Sequence, residues 1–80
     1  MNIIICGAGE VGYSLAKYLS TDNMKVTVID ESLEKLEKIS SSIDVRTLVG
    51  KCHNPEILFQ ANVSETELLI SVTDNDETNI

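Results

Sequence analysis

The residues with the clearest chemical potential form a glycine-rich segment near the start of the chain: Gly7, Ala8, Gly9, Glu10, Val11 and Gly12. Glycines at its first, third and sixth positions match the spacing of loops that hold the pyrophosphate of a dinucleotide. Gly7 would permit a tight turn, Gly9 would let a phosphate approach the backbone, and Gly12 would let a helix pack closely. The amides and the dipole of that helix would attract the phosphates. The alternative is a glycine-rich turn that binds no ligand.

A carboxylate lies at the position from which dinucleotide-binding folds contact the adenosine ribose. Asp30 lies 18 residues after Gly12, at the end of an apolar segment. A carboxylate there accepts hydrogen bonds from the adenosine ribose and repels a 2′-phosphate. Glu31 adds a second negative charge, so NAD(H) is favoured over NADP(H). The alternative is that Asp30 only caps or turns the chain before the next helix.

Two polar residues, Thr73 and Asp74, follow the last apolar segment of the chain. Ligands in parallel sheets lie beyond the carboxyl ends of the strands, so both residues could line the distal half of a dinucleotide. The alternative is that Asp74, with Glu77 three residues later, begins a helix.

Lys51, Cys52 and His53 follow a third apolar segment, and Lys51 could hold an adenine or phosphate edge. Cys52 and His53, together with Cys6, raise the possibility of a metal site. No pair has the spacing of a zinc motif, and the second strand should keep the ends of the first and third apart. We therefore expect no metal, no disulfide framework, and a Cys6 that behaves as a small buried hydrophobe.

The elements that must position these residues alternate between strands and helices. Strands are predicted over 2–6, 25–29, 45–49 and 68–73, and helices over 10–21, 33–41 and 55–61, with one further turn at 64–67. This alternation is typical of an α/β fold with a parallel sheet and right-handed crossovers. We expect a Rossmann-like sheet of strand order 3-2-1-4 with helices on both faces, the first half of a doubly wound dinucleotide-binding domain.

Composition limits the classes of function that this chain can have. Eighty residues with a net charge of −7 make one small domain, residues 1–80. The acidity argues against unaided binding to nucleic acid or to an anionic membrane surface. No apolar segment is long enough for membrane insertion, and the start lacks the basic region of a signal peptide. We therefore expect a cytoplasmic protein.

With these motifs placed, the chain resembles the RCK (regulator of potassium conductance), or KTN, domain family of the Trk potassium-uptake proteins. The resemblance spans essentially the whole chain, and generic dehydrogenases share only its first two segments. The segments that carry it are residues 3–12, 28–30, 49–58, 68–73 and 76–79.

The resemblance implies a cytoplasmic regulatory domain, not an enzyme, bound to a potassium-transporting membrane protein. Family members bind NAD(H), and some bind ATP or ADP; binding changes subunit packing and so gates transport. It also implies nucleotide contacts at the segment 7–12, at Asp30, around Lys51 and Cys52, and at Thr73 and Asp74. Many members carry an acidic residue where this chain has Lys51, which is a departure from the family pattern.

The resemblance also implies a longer domain, because family domains continue through two more strands and helices. Residues 1–80 would then be its N-terminal part, with a fourth strand whose exposed edge, or the apolar helices beside it, would favour self-association. An alternative function is the cofactor half of an NAD-dependent oxidoreductase, although the only histidine of these 80 residues is His53 and they leave no room for a substrate domain. A third interpretation is a domain that keeps the fold but binds nothing.

Overall fold

A computed structural model describes residues 1–21 and 23–72 of the chain. In chain order the elements are β1 (Asn2–Cys6), α1 (Glu10–Leu19), β2 (Lys25–Asp30), α2 (Leu33–Ser42), β3 (Arg46–Val49), α3 (Pro55–Gln60), a 3₁₀ turn (Val63–Glu65) and β4 (Leu68–Ser71). Each lies within two residues of the range predicted from the sequence. Within the described ranges, no helix is long and apolar enough to cross a membrane.

The four strands form one parallel sheet in the order β3-β2-β1-β4, as predicted. β1 lies between β2 and β4, with Ile4 beside both Thr27 and Leu69. Because all strands run the same way, their carboxyl ends lie along one edge of the sheet. Gly7, Asp30 and Gly50 are therefore brought to the same edge.

One face of the sheet is covered by α1 and α2. Successive strand residues point to opposite faces, so alternate residues of the two central strands meet the apolar sides of these helices. The buried residues of this cluster are Ile3, Ile5, Ala8, Ala16, Val26, Val28, Leu36 and Ile39.

The opposite face is covered by α3 and the residues that flank it, so helices lie on both faces as predicted. The buried residues here are Ile4, Cys6, Ile29 and Ala61. Leu48, Cys52, Ile57 and Leu58 are partly buried against them. None of the six residues of α3 is itself buried.

Side-chain caps fix where two of the helices begin. Ser32 accepts a hydrogen bond from the Lys35 amide at 3.3 Å before α2, and Asn54 accepts one from the Glu56 amide at 2.8 Å before α3. Asn62, which follows the end of α3, adopts the left-handed conformation, with φ of 63°.

Candidate functional site

Gly7 makes the turn that leaves β1. Its φ of +120° lies in a region that L side chains rarely adopt, and a Cβ would lie 2.6 Å from the Val72 carbonyl oxygen. Its amide donates to the carbonyl oxygen of Ile29 at 2.8 Å, which ties the turn to β2. Glycine is required here by both conformation and space.

Gly12 seats α1 directly on that turn. It is buried, and a Cβ on it would overlap the carbonyl oxygen of Gly7. Because the obstacle is backbone, no side-chain rotation could relieve the overlap. The first and last glycines of the segment are therefore packed against one another, although five positions separate them in the sequence.

The N-terminus of α1 begins at Gly9, whose extended backbone (φ −76°, ψ −160°) brings no side-chain acceptor to the first turn. The helical ladder starts with the Tyr13 amide, which donates to the Gly9 carbonyl oxygen at 2.8 Å. Glu10 and Val11 of this first turn are exposed. The turn thus combines the positive end of a helix dipole with amides that no cap residue occupies.

Asp30 connects this loop to the start of α2. Its Oδ2 accepts a hydrogen bond from the Ala8 amide and its Oδ1 accepts one from the Ser32 amide, each at 2.8 Å. The bond to Ser32 is the turn contact that the sequence left open as an alternative; the bond to Ala8 was not predicted. An ionised carboxylate offers about four acceptor positions, so capacity for roughly two more hydrogen bonds remains.

The turn after β3 lies beside Asp30. The Gly50 amide donates to the Asp30 carbonyl oxygen at 2.9 Å, and the Asn54 amide donates to the Lys51 carbonyl oxygen at 3.0 Å. Lys51 and His53 are exposed, and Cys52 is half-buried. Glu31, on the neighbouring connection, is also exposed.

Cys52 is joined to Cys6 by a disulfide, with 5.7 Å between the two Cα atoms. The prediction that β2 keeps the ends of β1 and β3 apart is therefore wrong for these side chains. Cys6 is not only a small buried hydrophobe, as expected, but also one half of a disulfide. Its predicted burial is confirmed, since only 2% of Cys6 is exposed. The chain must cross from β3 back over β2 and β1 to reach β4, and this crossing carries Cys52 to the end of β1.

A cavity of about 670 Å³ adjoins the glycine segment on the face covered by α1 and α2. It is lined by residues of the loop, of α1 and of α2, among them Ala8, Gly9, Tyr13, Ser14, Lys35 and Lys38. The two lysines were not predicted; the only sequence signal is their spacing of three, which places them on one side of a helix. Asp30 and Lys51 lie outside this cavity, and Thr73 and Asp74 lie outside the described residues.

A parallel sheet ordered 3-2-1-4, with a glycine turn after β1 and an acid at the end of β2, defines a Rossmann-like domain of the dinucleotide-binding class. The TrkA-N domain family matches residues 3–80, and the chain belongs to that family.

Relatives named Trk system potassium uptake protein TrkA match all 80 residues of the chain. The protein from Azorhizobium caulinodans is 35% identical and that from Halomonas elongata 39%. A protein from Methanosarcina mazei, named Trk system potassium uptake protein trkA homolog 1, is 42% identical. The chain spans 18% of the length of the first two and 19% of the third.

Proposed function

We propose that the chain is an NAD(H)-binding regulatory domain of a potassium-uptake system. The observation that carries the proposal is the arrangement around Asp30. Its carboxylate lies within hydrogen-bond distance of the glycine loop at the Ala8 amide, beside a helix start that has no side-chain cap. That arrangement offers a ribose acceptor and phosphate donors side by side.

Each part of a dinucleotide has residues that suit it. The pyrophosphate would lie on the first-turn amides of α1, at Gly9 and the residues after it, and the adenosine ribose would bond to Asp30. Lys51, exposed in the next turn, would approach the adenine or phosphate edge. Thr73 and Asp74 would line the distal half of the site.

Charge supports the choice among nucleotides. Asp30 and Glu31 place two carboxylates at the end of β2, where the 2′-phosphate of NADP(H) would have to lie. ATP and ADP share the unphosphorylated ribose of NAD(H), which makes them the second group of ligands that this site would accept.

A regulatory role fits the chain better than a catalytic one. His53, its only histidine, lies exposed in the turn after β3. The names of the relatives, which place them in a potassium uptake system, support a potassium-transporting membrane protein as the partner, with this domain on its cytoplasmic side. Regulation further requires that the nucleotide favour one of two arrangements of the subunits, since equal affinity for both shifts nothing.

Calorimetric titration with NADH, ATP and NADPH tests the nucleotide site. We expect NADH to bind and NADPH to bind at least tenfold more weakly. Asp30→Asn should lower NADH affinity about 10- to 100-fold, because hydrogen bonds to charged groups contribute about 1.5–3 kcal/mol. The same variant should narrow the difference between NADH and NADPH, which a merely distorted loop would not do.

Glu34→Gln is the matched control, since it removes one exposed carboxylate from the first turn of α2 and should bind NADH as the wild type does. Equal affinity for NADH and NADPH in the wild-type chain would contradict the assignment of Asp30. A folded chain that binds none of the three nucleotides would favour the interpretation that the fold is kept without the site.

A further inference from the structure

We propose that Cys6 and Cys52 are a redox modification site: a reversible disulfide that exchanges with low-molecular-weight disulfides and fixes the turn after β3 for nucleotide binding. The two residues are 46 positions apart in the sequence, yet their Cα atoms lie 5.7 Å apart, near the commonest separation in disulfides. The two cysteines of the chain are therefore brought together by the tertiary fold and not by proximity in the sequence.

The two cysteine residues differ in exposure. Cys6 ends β1 and is 2% exposed, whereas Cys52 is half-buried in a turn flanked by exposed Lys51 and His53. A small disulfide can therefore reach Cys52 but not Cys6. This difference assigns Cys52 as the attacking thiol and Cys6 as the resolving thiol.

The exchange is balanced in two steps. The Cys52 thiolate attacks one sulfur of a small disulfide, RSSR, and forms a mixed disulfide as RS⁻ leaves. The Cys6 thiolate then attacks the Cys52 sulfur, and the second RS⁻ leaves. The two protein thiols together lose two electrons, which reduce RSSR. The two thiol protons are taken up by the two RS⁻ groups.

The Cys6–Cys52 disulfide lies where it can affect the proposed nucleotide site. Cys6 directly precedes Gly7, and Cys52 lies two residues after Gly50, whose amide bonds to the Asp30 carbonyl oxygen at 2.9 Å. The disulfide thus joins the ends of β1 and β3 across the end of β2. In the reduced protein, the turn depends on backbone hydrogen bonds and on the partly buried Ile57 and Leu58.

Binding is tighter when a site is already ordered, because the ligand then does not have to order it. The oxidised form should therefore bind NADH about fivefold more tightly than the reduced form, at the low end of usual coupling between sites. By reciprocity, NADH should shift the thiol–disulfide equilibrium toward the disulfide by the same factor. This second half of the inference rests on the proposed function.

The redox step is tested without any nucleotide. The chain is equilibrated with cysteamine and cystamine at several ratios, trapped with N-ethylmaleimide and weighed by mass spectrometry. We expect one transition, to a species that has lost two hydrogens and carries no cysteamine. Cys6→Ser should accumulate a single cysteamine adduct on Cys52, and folded Cys52→Ser should acquire none. A wild-type chain that stays a dithiol at every ratio, or that takes up two cysteamines, would overturn the proposal.

The coupling is then tested by titrating NADH into the oxidised and the reduced chain, with Cys52→Ser under both conditions as the control. A fivefold difference in the wild type that Cys52→Ser lacks supports the coupling. Equal NADH affinity in both states would overturn the coupling and leave the proposed function standing. Absence of NADH binding in both states would count against the proposed function, while the mass measurement would still decide the redox step.

Discussion

The two faces of the sheet differ in how completely they are packed. Among the described residues, eight are buried in the cluster beneath α1 and α2, and four in the cluster beneath α3. The first face includes long apolar residues from its helices, such as Leu36 and Ile39. α3 contributes none that is fully buried, and Phe59 is 79% exposed.

The difference separates a rigid part of the site from an adjustable one. The glycine segment and Asp30 are positioned by elements of the well-packed face, and Gly12 locks α1 onto the turn. The turn that carries Lys51 leads into the thinly packed α3. We therefore expect a ligand or the disulfide to change the order of the second part more than that of the first.

Truncating one leucine on each face of the sheet should test the difference in packing most clearly. Leu36→Ala removes a side chain that is 1% exposed and should lower the free energy of unfolding by about 3 kcal/mol. Leu58→Ala, in the half-buried layer of the α3 face, should cost only about 1 kcal/mol. Urea denaturation followed by circular dichroism measures both. Equal costs would show that the two faces contribute alike.

Self-association is the second property in which the two faces of the sheet should differ. In the described sheet β4 pairs only with β1, and Leu69, which lies beside Ile4 on the α3 face, is 49% exposed. We expect a concentration-dependent dimer that Leu69→Lys weakens about tenfold, because a half-exposed leucine gives up about 1 kcal/mol of burial and the lysine must be desolvated. Sedimentation equilibrium measures it.

Leu33→Lys is the control for that measurement, since Leu33 is 56% exposed on α2. It should leave the dimer unchanged. A wild-type chain that remains monomeric at high concentration, or equal weakening by both variants, would rule out association through this part of the surface.

The helix caps should give the smallest and most local effect. Asn54→Ala removes a 2.8 Å bond to the Glu56 amide and should destabilise α3 by about 1 kcal/mol. Hydrogen exchange should then quicken about fivefold in α3 alone, because that helix has no buried residue to hold it. Ser32→Ala, which removes a 3.3 Å bond at α2, should leave exchange of α2 nearly unchanged. If α3 and α2 respond alike, the two helices are equally anchored.

The architecture could be predicted because its signals are local. Apolar β-branched segments that end at Gly7, Asp30 and Gly50 mark strands, and the helices between them require parallel pairing. The strand order 3-2-1-4 then follows from the glycine segment, which belongs to the first βαβ unit of such folds.

The features that were missed depend on how a connection travels after its strand ends. Neighbouring strands lie about 4.8 Å apart, so the ends of β1 and β3 are two strand spacings apart, and from these ends alone Cys6 and Cys52 are expected not to meet. The crossover to β4, however, carries Cys52 back over the sheet. Lys35 and Lys38 were missed for a related reason: their spacing shows that they share a side of α2, but not that this side borders a cavity.

The contact between Gly12 and the carbonyl of Gly7 has a consequence for how this loop can evolve. Every missense change in a glycine codon introduces a Cβ, and at position 12 the first carbon already collides with backbone. No graded series of substitutions therefore leads away from this geometry. Gly12 is therefore kept, or this geometry is lost in a single step, whereas the exposed side chain of Lys51 can be exchanged without any such overlap.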